Sequence, residues 1–180
     1  DATLVFLGTP ILYSPWLNFS LNNERKSGLL TPTAGSTSKG GIEFTQPFYW
    51  NIAPNMDATI APRYIEKRGM LWNGEYRYLQ PDYNGTVRGQ YLNQDKLEDD
   101  IRRSSYSLAH RQNFGYGLYG TLDLNGVSDD TFFSDLGSGS AVVSRTNLLR
   151  QGTLSYSGGW WSANLLAQRR KRRRGRLGLS

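Results

Sequence analysis

A proline in the middle of an amphipathic strand constrains this chain more than any other feature. In the stretch Ile42 to Met56 (IEFTQPFYWNIAPNM), Ile42, Phe44, Phe48, Trp50 and Ile52 fall on one face at period two, and Glu43, Thr45, Tyr49 and Asn51 fall on the other. That is a β-strand with one apolar and one polar face. Pro47 stands where a ladder hydrogen bond belongs, because proline has no N–H to donate. The strand stops in an Ala53-Pro54-Asn55 turn and reverses.

The rest of the chain repeats this up-and-down logic. Residues 2 to 21 are short apolar pieces broken by Gly8, Pro10 and Pro15, which read as the last strands of a β-sandwich or jelly roll. Asn22 to Gly28 is a polar hinge. From Leu29 a meander begins, with a strand over Leu29 to Ala34 interrupted by Pro32 and a loop over Gly35 to Gly41. Met56 to Lys67 places Met56, Ala58, Ile60, Pro62 and Tyr64 on one face. Met70 to Leu79 sets Met70, Trp72, Tyr76 and Tyr78 against Asn73, Glu75 and Arg77. Further strands are expected over Thr86 to Leu92, Tyr106 to Arg111, Gly117 to Val127, Ser144 to Tyr156 and Trp161 to Gln168.

The turns alternate in length. Ala53 to Asn55, Gln80 to Asn84, Gln112 to Tyr116 and Ser157 to Gly159 are short; Gly35 to Gly41, Asn93 to Ser105 and Ser128 to Val143 are longer, with Arg68-Gly69 as the exception. Short turns at one end and long loops at the other is the habit of bacterial outer-membrane barrels. Strands of about ten residues suit a tilted membrane crossing. Trp50, Trp72, Tyr78, Tyr91, Trp160 and Trp161 stand near strand ends, as interfacial girdles require. The same alternation serves a soluble β-sandwich, so pattern alone leaves both readings open.

Composition narrows the classes further. Hydrophobic residues make up 38% of the 180, with 11 tyrosines and 20 glycines, a profile for an antiparallel sheet with one wet face. No cysteine is present, which excludes a disulfide framework and a thiolate metal site. No apolar run is long enough for a transmembrane helix or a signal peptide; for an exported protein the signal is expected upstream of Asp1. The net charge of +6 misleads: Arg169, Arg170, Lys171, Arg172, Arg173, Arg174 and Arg176 form one run, and without it 14 basic residues face 15 acidic ones. No nucleic-acid partner is expected. His110, the single histidine, has no nucleophile motif to serve. Asp99-Asp100 and Asp129-Asp130 read as acid pairs for glycoside chemistry, as calcium ligands or, as expected for polar loops, as solvated acids. Neither a metal site nor a cofactor site nor catalysis is expected.

Residues 47 to 79, PFYWNIAPNMDATIAPRYIEKRGMLWNGEYRYL, resemble the start of the barrel in the LptD (OstA/Imp) family of lipopolysaccharide-assembly proteins. Arg25 to Pro32 (RKSGLLTP) resembles the family's run into its first barrel strand. Val5 to Pro15 resembles the end of its periplasmic jelly roll, and Val127-Ser128-Asp129 with Phe132-Phe133-Ser134-Asp135 resembles an extracellular loop. The resemblance covers about residues 3 to 168.

It implies an all-β fold: an antiparallel up-and-down meander forming part of an outer-membrane β-barrel, about nine strands, preceded by the end of a β-jelly-roll. The implied domains are 1–21 (jelly-roll end, periplasmic), 22–28 (hinge), 29–168 (barrel) and 169–180, a disordered or artefactual basic tail that departs from the family. The implied function is outer-membrane lipopolysaccharide transport through a lateral gate. The implied partners are lipopolysaccharide, an LptE-type lipoprotein plug and an LptA-type periplasmic bridge. Pro32 and Pro47, fifteen residues apart, match the family's gate-strand prolines by position, and Asn51, Pro54 and Asn55 match the turn that follows. The plain alternatives are that these prolines mark an edge strand or a bulge, and that the chain is part of another porin or a soluble carbohydrate-binding β-sandwich.

Overall fold

The computed structural model describes residues 2–6, 9–14, 25–137 and 149–170. The first two strands, β1 (Ala2–Phe6) and β2 (Thr9–Ser14), form a separate antiparallel hairpin whose register shifts between Leu4 and Val5, opposite Pro10. Residues 15–24, which include the start of the expected hinge, lie outside the described residues.

Every described strand from Gly28 onward belongs to one antiparallel sheet of eleven segments. In chain order they are β3 (Gly28–Leu29), β4 (Thr33–Thr37), β5 (Gly41–Thr45), β6 (Phe48–Ala53), β7 (Met56–Ile65), β8 (Gly69–Leu79), β9 (Tyr83–Asp95), β10 (Ile101–Gly115), β11 (Leu118–Val127), β12 (Leu149–Ser157) and β13 (Ser162–Arg170). β3 and β4 are two halves of one strand, and so are β5 and β6, since both halves of the second pair along β7. The eleven segments are therefore nine strands, the number expected. The sheet is open, with the β3/β4 strand at one edge and β13 at the other.

The period-two faces fall as the residues dictate. Cross-strand pairing puts Phe44 opposite Tyr64, Phe48 opposite Ile60, Pro62 opposite Trp72, and Trp72 opposite Tyr91. These residues form an outward face that is apolar and open: Ile42, Phe44, Trp50, Trp72, Tyr106 and Leu165 are all exposed. A water-soluble sheet would bury such a face, whereas a lipid-facing one has no reason to. The inward face carries Glu43, Asp57, Arg63, Asn73, Glu75, Arg88, Gln90, Ser105 and Asn125.

Several loops are shorter than their polarity suggests. The polar stretch from Asn93 to Ser105 is mostly strand, because β9 runs to Asp95 and β10 starts at Ile101, leaving a five-residue turn. Gly35 to Gly41 shrinks in the same way to the turn 38–40, and Gln112 to Gly115 continues β10. Polar residues inside a strand look like a loop when the inward face is wet. β13 likewise runs on to Arg170, which pairs with Leu149, so the strand takes in the first two arginines of the basic run. Residues 171–180 lie outside the described residues. The turns at one end are 54–55, 80–82, 116–117 and 158–161. At the other they are 38–40, 66–68, 96–100 and the long connection between β11 and β12, described over 128–137.

Within that long connection a short helix, α1 (Phe132–Leu136), folds back onto the inward face. Phe132 and Leu136 pack with Ile65, Leu71 and Leu92, and these five are the buried hydrophobic residues among those described. The core of this sheet is therefore a small plug at the long-loop end.

Candidate functional site

The breaks in the first two strands follow from proline chemistry. Opposite residues of an antiparallel pair either exchange two backbone hydrogen bonds or none. The register Gly28↔Tyr49, Leu29↔Phe48 puts Leu30 opposite Pro47. The Leu30 amide donates to the Pro47 carbonyl at 2.9 Å, and Pro47 can return nothing. On the other side, Thr45↔Arg63 and Phe48↔Ile60 put Gln46 opposite Pro62. There the Gln46 amide donates to the Pro62 carbonyl at 3.2 Å, and again no N–H comes back. Pro32 sits in the gap between β3 and β4, where the register moves from Leu29↔Phe48 to Thr33↔Thr45. Three residues, Leu30, Thr31 and Pro32, thus face two, Gln46 and Pro47, which is a β-bulge. Three prolines at fifteen-residue intervals, Pro32, Pro47 and Pro62, weaken one line across three adjacent strands at the sheet's first edge.

Gln46 bridges the break. Its side-chain Nε2 donates to the Leu30 carbonyl at 2.9 Å and to the Pro47 carbonyl at 3.2 Å. The Leu30 carbonyl is the acceptor that a non-proline residue at position 47 would have served through its backbone.

At the short-turn end, the chain entering the first strand is tied to the second and third. The Asn51 Nδ2 donates to the Arg25 carbonyl at 2.7 Å, and the Asn51 backbone amide donates to Ser27 Oγ at 2.8 Å. Asp57 is buried and takes two hydrogen bonds from Arg77, at 2.7 and 2.8 Å, one from the Tyr49 hydroxyl at 3.2 Å, and an ion pair from Arg25 at 3.5 Å.

Mid-sheet, the inward face carries a polar row across four strands. Asn73 Nδ2 donates to the Ala61 carbonyl, Gln90 Nε2 donates to Asn73 Oδ1, and Ser105 Oγ donates to Gln90 Oε1, at 2.8, 2.7 and 2.9 Å. The row floors a groove of about 540 Å³, which also includes Glu75, Arg88, Asn125 and, as its roof, Phe133. Neutral amides and hydroxyls beside a paired Arg88 and Glu75 give this largely apolar groove a floor of hydrogen-bond donors and acceptors for hydroxyl-rich material.

At the long-loop end, charges pin α1 to the sheet. Arg103 is fully buried and reaches Asp95 at 2.8 Å, Asp135 at 3.2 Å, Asp129 at 2.6 and 3.0 Å, and Thr131 Oγ1 at 3.0 Å. Arg68 joins Asp95 at 2.6 Å, and Arg63 donates to the Leu136 carbonyl at 2.9 Å. Burial pushes the Asp129 carboxyl up, but hydrogen bonds from Arg103, Ser128 and Thr131 outweigh it and hold the group below the usual carboxylate range.

A family model described as "LptD protein" matches residues 1–117, and one described as "LPS transport system D" matches residues 100–172. The chain belongs to the LptD family. It is 51% identical over 167 residues to the LPS-assembly protein LptD of Azoarcus sp. strain BH72, covering 92% of this chain and 20% of that protein. It is 50% identical over 160 residues to the protein of the same name from Chromobacterium violaceum, covering 89% of this chain and 20% of the relative. The Nitrosomonas europaea LPS-assembly protein LptD is 48% identical over 154 residues, or 86% of this chain and 21% of its own length. This LptD segment spans about a fifth of the length of the curated relatives it matches.

The residues singled out from the sequence take these places in the LptD segment. Pro32 and Pro47 lie in the two strand breaks. Pro54 and Asn55 form the tight turn after β6, whereas Asn51 is in β6 itself and holds the incoming chain rather than shaping the turn. The aromatic residues divide into two levels on the outward face. Trp50, Tyr78 and Trp161 lie toward the short turns, Trp161 stacking on Tyr156 with ring centroids 4.4 Å apart. Trp160 projects from the 158–161 turn, 92% exposed. Trp72 and Tyr91 lie toward the long loops. Trp72 and Tyr78 are six residues apart on β8, so the two levels stand about 20 Å apart along the strand. His110 is an outward strand residue hydrogen-bonded to the Tyr78 hydroxyl at 2.7 Å.

Pro62, Gln46 and Arg103 were not evident from the sequence. Pro62 had a usable signal, since it repeats the fifteen-residue interval. Gln46 and Arg103 had none, because Gln46 serves a carbonyl 16 residues away and Arg103 gathers carboxylates 8, 26 and 32 residues away.

Proposed function

We propose that this chain is the beginning of the transmembrane barrel of a lipopolysaccharide-assembly protein in the outer membrane, and that its first-edge strand is one wall of a lateral exit for lipid. The carrying observation is the line of half-made backbone pairs at Leu30–Pro47 and Gln46–Pro62 beside an open apolar face. A barrel wall needs full pairing wherever it meets hydrocarbon, since unsatisfied backbone groups there cost several kcal/mol. Weak pairing confined to one edge supports an element that parts. The inward groove of amides and hydroxyls supports passage of the sugar portion, and the outward face supports exit of the acyl portion into the bilayer. In this reading the work is transport without catalysis.

The reading extends to the neighbouring parts. Residues 1–21 end a periplasmic jelly roll that receives lipopolysaccharide from an LptA-type bridge, residues 22–28 are a hinge, residues 29–168 are barrel, and an LptE-type lipoprotein plugs the lumen. Two further findings agree with this layout: the β1–β2 hairpin pairs with nothing in the large sheet, and Asn51 and Asp57 fasten the incoming chain at the short-turn end.

Pro47→Ala in the full-length protein tests the exit. The new N–H completes the pair with Leu30, so lipid export slows and cells become sensitive to large antibiotics that an intact outer leaflet excludes. Unchanged export and unchanged sensitivity would overturn the reading.

A further inference from the structure

We propose that the Gln46 side-chain amide is the latch of this seam: it stands in for the N–H that Pro47 lacks and holds the first strand to the second until it lets go. Three observations carry the inference. The Leu30 carbonyl, which Pro47 cannot serve, receives Gln46 Nε2 at 2.9 Å. The same Nε2 lies 3.2 Å from the Pro47 carbonyl, so one amide group spans both strands at the break. Gln46 also occupies an outward position, since it stands opposite Pro62 between Phe44 and Phe48. An amide among phenylalanines on a lipid-facing surface is unfavourable unless its hydrogen bonds are used.

The chemistry separates this latch from a backbone bond. A backbone N–H leaves its acceptor only if the strand moves. A glutamine amide on rotatable side-chain bonds leaves by changing rotamer, while β5 and β6 stay on β7 through their own register. The second strand can therefore stay in the wall while the first is released. The amide also spares the closed seam an exposed carbonyl, which proline alone would leave facing hydrocarbon. Pro47 and Gln46 act as a pair: the proline removes a permanent bond and the glutamine replaces it with a removable one.

The use of this latch in export rests on the exit proposed above; its existence does not. The test is amide hydrogen exchange on the full-length protein purified from outer membranes, read over residues 28–37. Gln46→Leu, which keeps the bulk and removes the donor, should speed exchange there by roughly 2- to 10-fold. In a Pro47→Ala background the same substitution should change nothing, because the backbone N–H of residue 47 then serves Leu30. Exchange unchanged by Gln46→Leu, or raised equally in both backgrounds, overturns the latch. If Gln46→Leu alone fails to assemble, the double variant decides: protection equal to Pro47→Ala supports the latch, and failure of the double variant as well overturns it. Faster exchange with normal lipid export would keep the latch and sink the exit.

Discussion

Arg103 Nη1 lies 2.8 Å from Asp95 Oδ2, and neither side chain reaches solvent. The pair is the floor of the charge network that holds α1 against the sheet. Buried charges stay only where each has a partner, and removing one partner leaves the other stranded. Arg103→Met should therefore destabilise the folded barrel by about 3–5 kcal/mol. Arg103→Lys should recover only part of this, since an ammonium cannot reproduce the fork that serves Asp95, Asp129 and Thr131 together. The temperature at which the full-length protein loses its heat-modifiable gel mobility measures both effects.

Acid should release α1 late. The folded Asp129 carboxyl titrates below its unfolded value of about 3.9. Its contribution is then fully present above that value and is lost as pH falls through the lower folded value. Protease access to residues 128–137 should stay low from pH 7 to about 4.5 and rise only below about 3.5. Release near pH 6 would contradict the Arg103–Asp129 pairing as its cause.

Phe132 and Leu136 anchor the helix by burial. Truncation to alanine should cost about 2–5 kcal/mol at each position. The loss should be local, because the strands beneath keep their ladders. Proteolysis should cut the 128–148 connection early in Phe132→Ala while β7 to β10 remain protected, and simultaneous loss of both would show that the plug supports the whole sheet.

Asn51→Ala should loosen the incoming chain. It removes the 2.7 Å bond to the Arg25 carbonyl and leaves the backbone bond to Ser27. Amide exchange over residues 25–29 should rise by about 3-fold, in line with one hydrogen bond of ordinary strength. No change over that stretch would mean that the Ser27 bond and Asp57 hold it without the Asn51 side chain.

Gly85 faces Tyr78 across the β8–β9 pair, and a Cβ there would come within 2.3 Å of the Tyr78 hydroxyl and 2.7 Å of the Ala109 carbonyl. Gly85→Val should displace the Tyr78 ring and break its bond to His110, at a cost of about 1–3 kcal/mol. Thermal unfolding measures this, and Tyr78→Phe should remove the hydrogen bond without the crowding.

The strand faces were legible because period-two alternation survives wherever one side is lipid and the other is water. Phe44, Phe48, Trp50 and Trp72 all fall where the alternation puts them. The breaks were legible because proline cannot donate. Strand ends were not legible near the long loops. Asn93, Gln94 and Asp95 read as a loop by composition, yet Asp95 is held inward by Arg68, 27 residues before it, and by Arg103, 8 residues after it across the turn. α1 was hidden for the same reason: Phe132 and Leu136 look like stray apolar residues until Ile65, Leu71 and Leu92 come beneath them. At the seam, Pro32 and Pro47 could be named from the chain alone, whereas Gln46 needed the Leu30 carbonyl to be seen.

The bulge at Leu30 to Pro32 also bears on how such a seam could arise and be lost. Its extra residue switches the parity of the first strand, so that odd-numbered Leu29 and even-numbered Ala34 both turn toward the lipid side. Removing Thr31 would restore one continuous alternation against Gln46 and Thr45 without disturbing any other pair. A single codon thus separates an interrupted strand from an unbroken one, and drift at that codon is a direct evolutionary route between the two walls.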